Sequence, residues 1–157
     1  MKIEHTLIPT LTARSLTLAT AESCTGGLIA KRITDVPGAS AVYLGSVVSY
    51  ANEVKIGLLG VSPDTLTAHG AVSSAVAAQM ARGVRLATGA DAAVSTTGIA
   101  GPGGGTPAKP VGTVWVGIST ADGETTHLLQ LDPAADRATI REEAASRALT
   151  LLLEAIE

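Results

Sequence analysis

The sequence predicts a three-layer α/β/α fold with a mixed, mostly parallel sheet, and three observations lead there. Short apolar runs rich in β-branched residues alternate with helical patterns through the first two thirds of the chain, the order that yields parallel strands joined by crossover helices. A hairpin signal follows late and adds antiparallel strands. One amphipathic helix closes the chain. At 157 residues, 46% of them apolar, the chain fits one domain over residues 1–157 that can bury a core without disulfides or metal. Aromatics make up 2% and Phe is missing, so the core must be built from closely packed Ala, Val, Leu and Ile.

Taken in order, residues 2–14 have a weakly helical pattern interrupted by Pro9, and residues 16–21 read as a short buried strand. A helix is expected over 25–34, stopping before Pro37-Gly38. Residues 42–50 (VYLGSVVSY) read as a second strand, and Asn52 is placed to cap a helix that begins at Glu53. Ser62-Pro63-Asp64 opens a short helix, and Ser73 or Ser74 caps a long Ala-rich one that closes at Gly89. A third strand spans 91–97. Five glycines then fall between Gly98 and Gly105, ahead of a strand over 110–120. The turn Ala121-Asp122-Gly123-Glu124 folds that strand onto 124–132. From Ala134 onward Ile140, Ala144, Ala148, Leu151 and Leu152 recur at helical spacing.

Composition excludes several function classes. The net charge is −3, from 11 basic and 14 acidic residues without a basic tract, so duplex nucleic acid is not an expected partner. No apolar run reaches the roughly 20 residues of a membrane span, and MKIEHTLIPT lacks the form of a secretory signal, so no membrane association and a cytoplasmic location are expected. One cysteine allows no intrachain disulfide and no sulfur-rich zinc site. The abundance of apolar positions is compatible with a homo-oligomer.

Three segments could carry chemistry. In TAESCTGG (residues 20–27), Ser23 leaves a strand and enters a helix, where unpaired N–H groups and the helix dipole favour negative charge. Such a corner can present a serine nucleophile and hold the oxyanion that its attack creates. The same position suits Ser23 or Thr25 as a simple N-cap, the commoner role there. A serine needs a base. His5, His69 and His127 stand in no triad pattern, whereas Lys55 in SYANEVK falls in the first turn of a helix, where dipole and desolvation both favour its neutral form. Tyr50, at the end of the preceding strand, could relay or orient a proton. The glycine loop TGIAGPGGGTP (residues 97–107) exposes successive N–H groups able to nest an anion, but it fits neither the Walker pattern nor the dinucleotide fingerprint. Arg137 and Arg141 share a helix face and could complete an anion site or pair with surface carboxylates.

In order and spacing, TAESCTGG, SYANEVK, HGAVS (69–73), TGIAGPGGGTPAKPVGTVWVGI and DRATIR resemble the CinA C-terminal domain family, the nicotinamide mononucleotide deamidases, along essentially the whole chain. The resemblance implies a three-layer α/β/α fold and metal-free hydrolysis of a carboxamide, converting nicotinamide mononucleotide to nicotinic acid mononucleotide and ammonia. It implies Ser23 as nucleophile with Tyr50 and Lys55 as base partners, and the N–H groups near Cys24, Thr25 and Gly26 around the oxyanion. Thr97, Gly98 and Gly101 are implied as substrate contacts, Arg137 and Arg141 match the substrate-binding arginines of the family's closing helix, and the phosphate is expected on the 97–105 loop with an arginine. The family's longer members carry a molybdopterin-binding-like N-terminal domain that this sequence does not show, so the resemblance is to the stand-alone deamidase rather than to the two-domain form. It also has Ala135-Asp136 where Gly-Asp is expected, which weakens the match at Arg137 relative to Arg141. Two other readings stay open: Cys24 as the nucleophile, since a helix N-terminus favours a thiolate, and a nucleotide-binding module without catalysis.

Overall fold

The computed structural model describes residues 1–157. Six helices, α1 (Glu4–Ala13), α2 (Leu28–Thr34), α3 (Asn52–Leu59), α4 (Pro63–His69), α5 (Ser74–Thr88) and α6 (Arg137–Ile156), enclose five strands, β1 (Leu18–Glu22), β2 (Tyr43–Val48), β3 (Ala92–Gly98), β4 (Thr113–Thr120) and β5 (Gly123–Gln130). The sheet order is β2-β1-β3-β4-β5. β1 runs parallel to both β2 and β3, whereas β4 is antiparallel to β3 and to β5. This is the mixed α/β sheet that the pattern of elements predicts.

Side chains of β1 and β3 alternate between two cores because successive residues on a strand point to opposite faces. Leu18, Ala92 and Val94 join Leu7, Leu11, Ile29, Ile33, Ala148 and Leu152 from α1, α2 and α6. Ala19, Ala21 and Ala93 face Val76, Met80 and Val84 of α5 and Leu59 of α3. The second face is built of small residues, so α5 lies almost on the sheet: Ser95 Oγ donates to the Ala77 carbonyl at 2.6 Å. The scarcity of aromatics has its structural counterpart in this close approach.

Several element boundaries differ from expectation, each for a local reason. Pro9 does not interrupt α1. The bond it deletes would have gone to the carbonyl of His5, and both residues are exposed, so that carbonyl can turn to water while Leu7, Ile8 and Leu11 stay packed. Asn52 is the first residue of α3 rather than its cap, and Ala51 occupies the cap without a side-chain bond. Ser62 and Ser73 cap α4 and α5. Asp136 caps α6, which starts at Arg137 instead of Ala134, and accepts the Thr139 N–H at 2.7 Å.

β1 has β2 on one side and β3 on the other, so the chain reverses its direction of advance at the carboxyl end of β1. Open α/β sheets bind ligands in the crevice outside that end. Ser23 is the first residue beyond β1, and its N–H donates to the Thr96 carbonyl of β3 at 2.9 Å.

Candidate active site

The turn that follows β1 is shaped by a residue to which the sequence analysis gave no role. Glu22, fully buried at the end of β1, accepts hydrogen bonds from the N–H groups of Ile29 (2.9 Å) and Ala30 (3.0 Å) in the first turn of α2, and from Thr25 Oγ1 at 2.7 Å. It therefore does the work expected of an N-cap, holding orphan donors near the positive end of the helix. Neither Ser23 nor Thr25 caps α2. The helix starts at Leu28, three residues later than expected, with Gly27 at its cap in a left-handed conformation (φ 100°). Thr25 Oγ1 also lies 2.7 Å from Thr96 Oγ1, which ties the turn to β3.

Ser23 is thereby free of capping and partly exposed. Lys55 Nζ donates to its Oγ at 3.0 Å and to the carbonyl of Ser49 at 2.6 Å. The Lys55 side chain is 1% exposed and forms no ion pair. Burial holds its pKa below the ordinary 10.5, since an ammonium group sheathed in protein loses its hydration. Burial acts on Cys24 in the opposite sense and pushes its thiol up to about 12. The two neighbours are thus prepared differently: Ser23 faces an amine biased toward its neutral form, and Cys24 is biased toward the unreactive thiol.

A cavity of about 270 Å³ opens at this pair, lined by Ser23, Cys24, Tyr50, Asn52, Lys55, Ala71, Val72, Thr97, residues 98–101, 103 and 104, and Arg137. Arg137 bridges two of its walls, donating to the Gly101 carbonyl at 2.7 Å and to the Tyr50 hydroxyl at 3.0 Å. Thr97 Oγ1 donates to the carbonyl of Ala71 at 2.8 Å. The N–H groups of Ala100, Gly101, Gly103 and Gly104 have no acceptor within the protein, and the same holds for Cys24 and Thr25. No carboxylate lines this cavity, whose only cationic side chains are Lys55 and Arg137. A larger cleft, about 550 Å³, lies at the other end of the strands, but there Asp91 is bonded to Thr17 and Arg85 to Ser119.

Residues 1–156 match the CinA C-terminal domain family. The chain belongs to that family. It is 51% identical over 153 residues to a CinA-like protein of Akkermansia muciniphila, covering 98% of this chain and 37% of that protein, and 55% identical over 147 residues to a CinA-like protein of Salinibacter ruber, covering 94% and 35%. The chain spans little more than a third of the length of these curated relatives. Among solved structures, the competence/damage inducible protein CihA of Agrobacterium tumefaciens superposes with a TM-score of 0.95 at 40% identity, covering 99% of this chain and 94% of the other. A CinA superfamily protein of Escherichia coli gives 0.92 at 34%, covering 98% and 88%. The family domain accounts for nearly every residue of this chain, and no helix in it is long and apolar enough to cross a membrane. No three His, Cys, Asp or Glu side chains gather as a metal site.

Of the residues singled out in the sequence, Ser23, Cys24, Tyr50, Lys55, Thr97, Gly98, Gly101 and Arg137 surround one cavity. Thr25, Gly26 and Arg141 do not line it. Arg141 turns away from the glycine loop and donates to the carbonyls of Cys24 (Nε, 3.1 Å) and Thr25 (Nη2, 2.9 Å). Tyr50 does not stand between Ser23 and Lys55, which touch directly. Asn52, Ala71 and Val72 are lining residues without an assigned role in the sequence analysis. Ala71 and Val72 belong to HGAVS, a segment conspicuous only for its place in the family pattern.

Proposed function

We propose that this protein is an amidase that hydrolyses the carboxamide of nicotinamide mononucleotide to nicotinic acid mononucleotide and ammonia. The observation that carries the proposal is the 3.0 Å contact between Ser23 and a buried lysine of lowered pKa at the mouth of a cavity. A neutral Lys55 takes the Ser23 proton, and the Oγ–carbon bond forms as the carbonyl π pair moves onto oxygen. The free N–H group of Cys24, which lines the cavity, receives that oxyanion. Collapse breaks the carbon–nitrogen bond while Lys55 returns its proton to the leaving nitrogen, and ammonia departs. Water, deprotonated by Lys55, then opens the Ser23 ester and frees the carboxylic acid.

Substrate charge fits these residues. The pyridinium withdraws electrons from the carboxamide, which lowers the demand on a serine nucleophile, and it adds a positive charge that favours the neutral amine on Lys55. The free N–H groups of Ala100, Gly101, Gly103 and Gly104 and the guanidinium of Arg137 can receive the phosphate. Cys24 is the poorer candidate nucleophile because its thiol is held neutral.

Incubation with nicotinamide mononucleotide should release ammonia and nicotinic acid mononucleotide in equal amounts. The riboside, which keeps the amide and the pyridinium but lacks phosphate, should show a KM higher by at least about tenfold. Free nicotinamide, without the ring charge, should resist hydrolysis. If no acid forms from the nucleotide, the proposal is wrong.

A further inference from the structure

Arg141 forms no ion pair although it is only partly exposed, and it does not line the cavity. Both bonds it makes go to the nucleophile turn, to the carbonyls of Cys24 and Thr25. Room for it exists because residue 26 is glycine: a Cβ there would lie 3.1 Å from Nη2, on backbone with φ +59°. Arg137, one helical turn earlier, grips the glycine loop instead.

A trans peptide unit points its C=O and N–H in opposite directions. A donor that fixes the Thr25 carbonyl therefore fixes the direction of the Gly26 N–H, and that group closes the turn on the Ser23 carbonyl at 3.1 Å. A guanidinium on the carbonyl also draws electron density toward oxygen and strengthens the N–H as a donor. The Ser23 carbonyl shares its peptide unit with the Cys24 N–H, a free donor that lines the cavity, and Arg141 braces the same turn again at the Cys24 carbonyl.

We infer that Arg141 is a positioning residue for the oxyanion site, orienting and polarising the peptide units beside Ser23 from behind, and does not contact the nucleotide. This rests on the amidase reading above. Removing one oxyanion donor outright costs roughly 10²–10³ in kcat, so disturbing its orientation should cost somewhat less.

The test uses R141K, which keeps the charge without the fork, and R141M, which has neither. For ammonia release, kcat should fall about tenfold in R141K and about a hundredfold in R141M. KM and the dissociation constant for nicotinic acid mononucleotide should stay within about twofold of wild type, a split expected only if a transition-state interaction is lost. Retained product binding shows that the variants fold. Weakened nucleotide binding with kcat preserved would make Arg141 a ligand contact, unchanged kcat would leave it idle, and loss of both binding and cooperative melting would make it structural; each overturns the inference. A second readout avoids the substrate. A fluorophosphonate is attacked by Ser23 Oγ, forming an O–P bond as P–F breaks, fluoride leaves and the proton passes to Lys55. Labelling of Ser23 should slow at least tenfold in R141M. If wild type labels but releases no ammonia, the amidase reading fails while the labelling rates still decide on Arg141. A wild type that does neither overturns both.

Discussion

Ser23 and Lys55 stand 32 positions apart in the chain, yet Lys55 Nζ lies 3.0 Å from Ser23 Oγ. Two elements bring them together, the turn after β1 and the first turns of α3, and burial of the amine sets its protonation. A base must be neutral to act, so kcat/KM for ammonia release should climb with pH along a single lysine limb whose midpoint lies below the ordinary 10.5. Lys55→Arg keeps the charge but cannot lose its proton, and kcat should fall by about 10²–10⁴-fold. A pH-independent rate, or an active Lys55→Arg enzyme, would remove Lys55 from the base role.

Cys24 is expected to behave as an inert neighbour. With its thiol pushed up to about 12 and the side chain 7% exposed, iodoacetamide at neutral pH should modify it slowly in the native protein and readily after denaturation, as followed by mass spectrometry. Partial alkylation that tracked loss of activity would revive the thiol as nucleophile.

Away from the site, Arg32 Nη2 and Glu4 Oε2 meet at 2.8 Å, with side chains 6% and 3% exposed. Burial alone would raise the Glu4 pKa, but the bonds and charge of Arg32 outweigh it and hold the carboxyl below 4.5. The unfolded chain therefore takes up the proton first. The stabilisation is complete above 4.5 and is lost as pH falls through the lower folded value. Glu4→Gln should cost about 3–5 kcal/mol at neutral pH by urea denaturation, and its stability should depend less on pH than that of wild type below the carboxylate range. An equal acid slope in both proteins would show that other carboxyl groups govern acid unfolding.

Gly83, in the middle of α5, leaves no space for a methyl group. A Cβ there would stand 1.8 Å from the carbonyl oxygen of Leu59, the last residue of α3. Helix propensity favours Ala over Gly by about 1 kcal/mol, but overpacking typically costs 1–3 kcal/mol or more, and contact this close puts Gly83→Ala at the upper end. Because α3 carries Lys55, the substitution should also lower kcat for ammonia release. A stabilised, fully active Gly83→Ala protein would mean that α3 can shift without disturbing the site.

Much of this arrangement was legible in the sequence because its signals are local. The β-branched runs, the Ser62 and Ser73 caps and the two-residue hairpin loop at Ala121-Asp122 each depend on neighbours in the chain, and the sheet follows from their order. What could not be read was long-range pairing. Glu22 looks like one polar residue in a turn until α2 packs over it and supplies two N–H donors. Arg137 and Arg141 share one helix face, which suggests one task, yet a single turn of rise sends one to the Gly101 carbonyl and the other to the carbonyls beside Ser23. Tyr50 reads as a proton relay from its place in the motif, but its hydroxyl accepts from Arg137. The identity of a side chain's partner is a tertiary fact, and at this site it separates groups that touch the cavity from groups that hold the turn.

The measurement that bears most directly on Ser23 as nucleophile is ammonia release from nicotinamide mononucleotide by Ser23→Ala and Cys24→Ala, compared with wild type at saturating substrate. A nucleophilic Ser23 requires loss of at least about 10³-fold in kcat for Ser23→Ala, with Cys24→Ala within about threefold of wild type and both variants still binding nicotinic acid mononucleotide. Near-wild-type release by Ser23→Ala would contradict it.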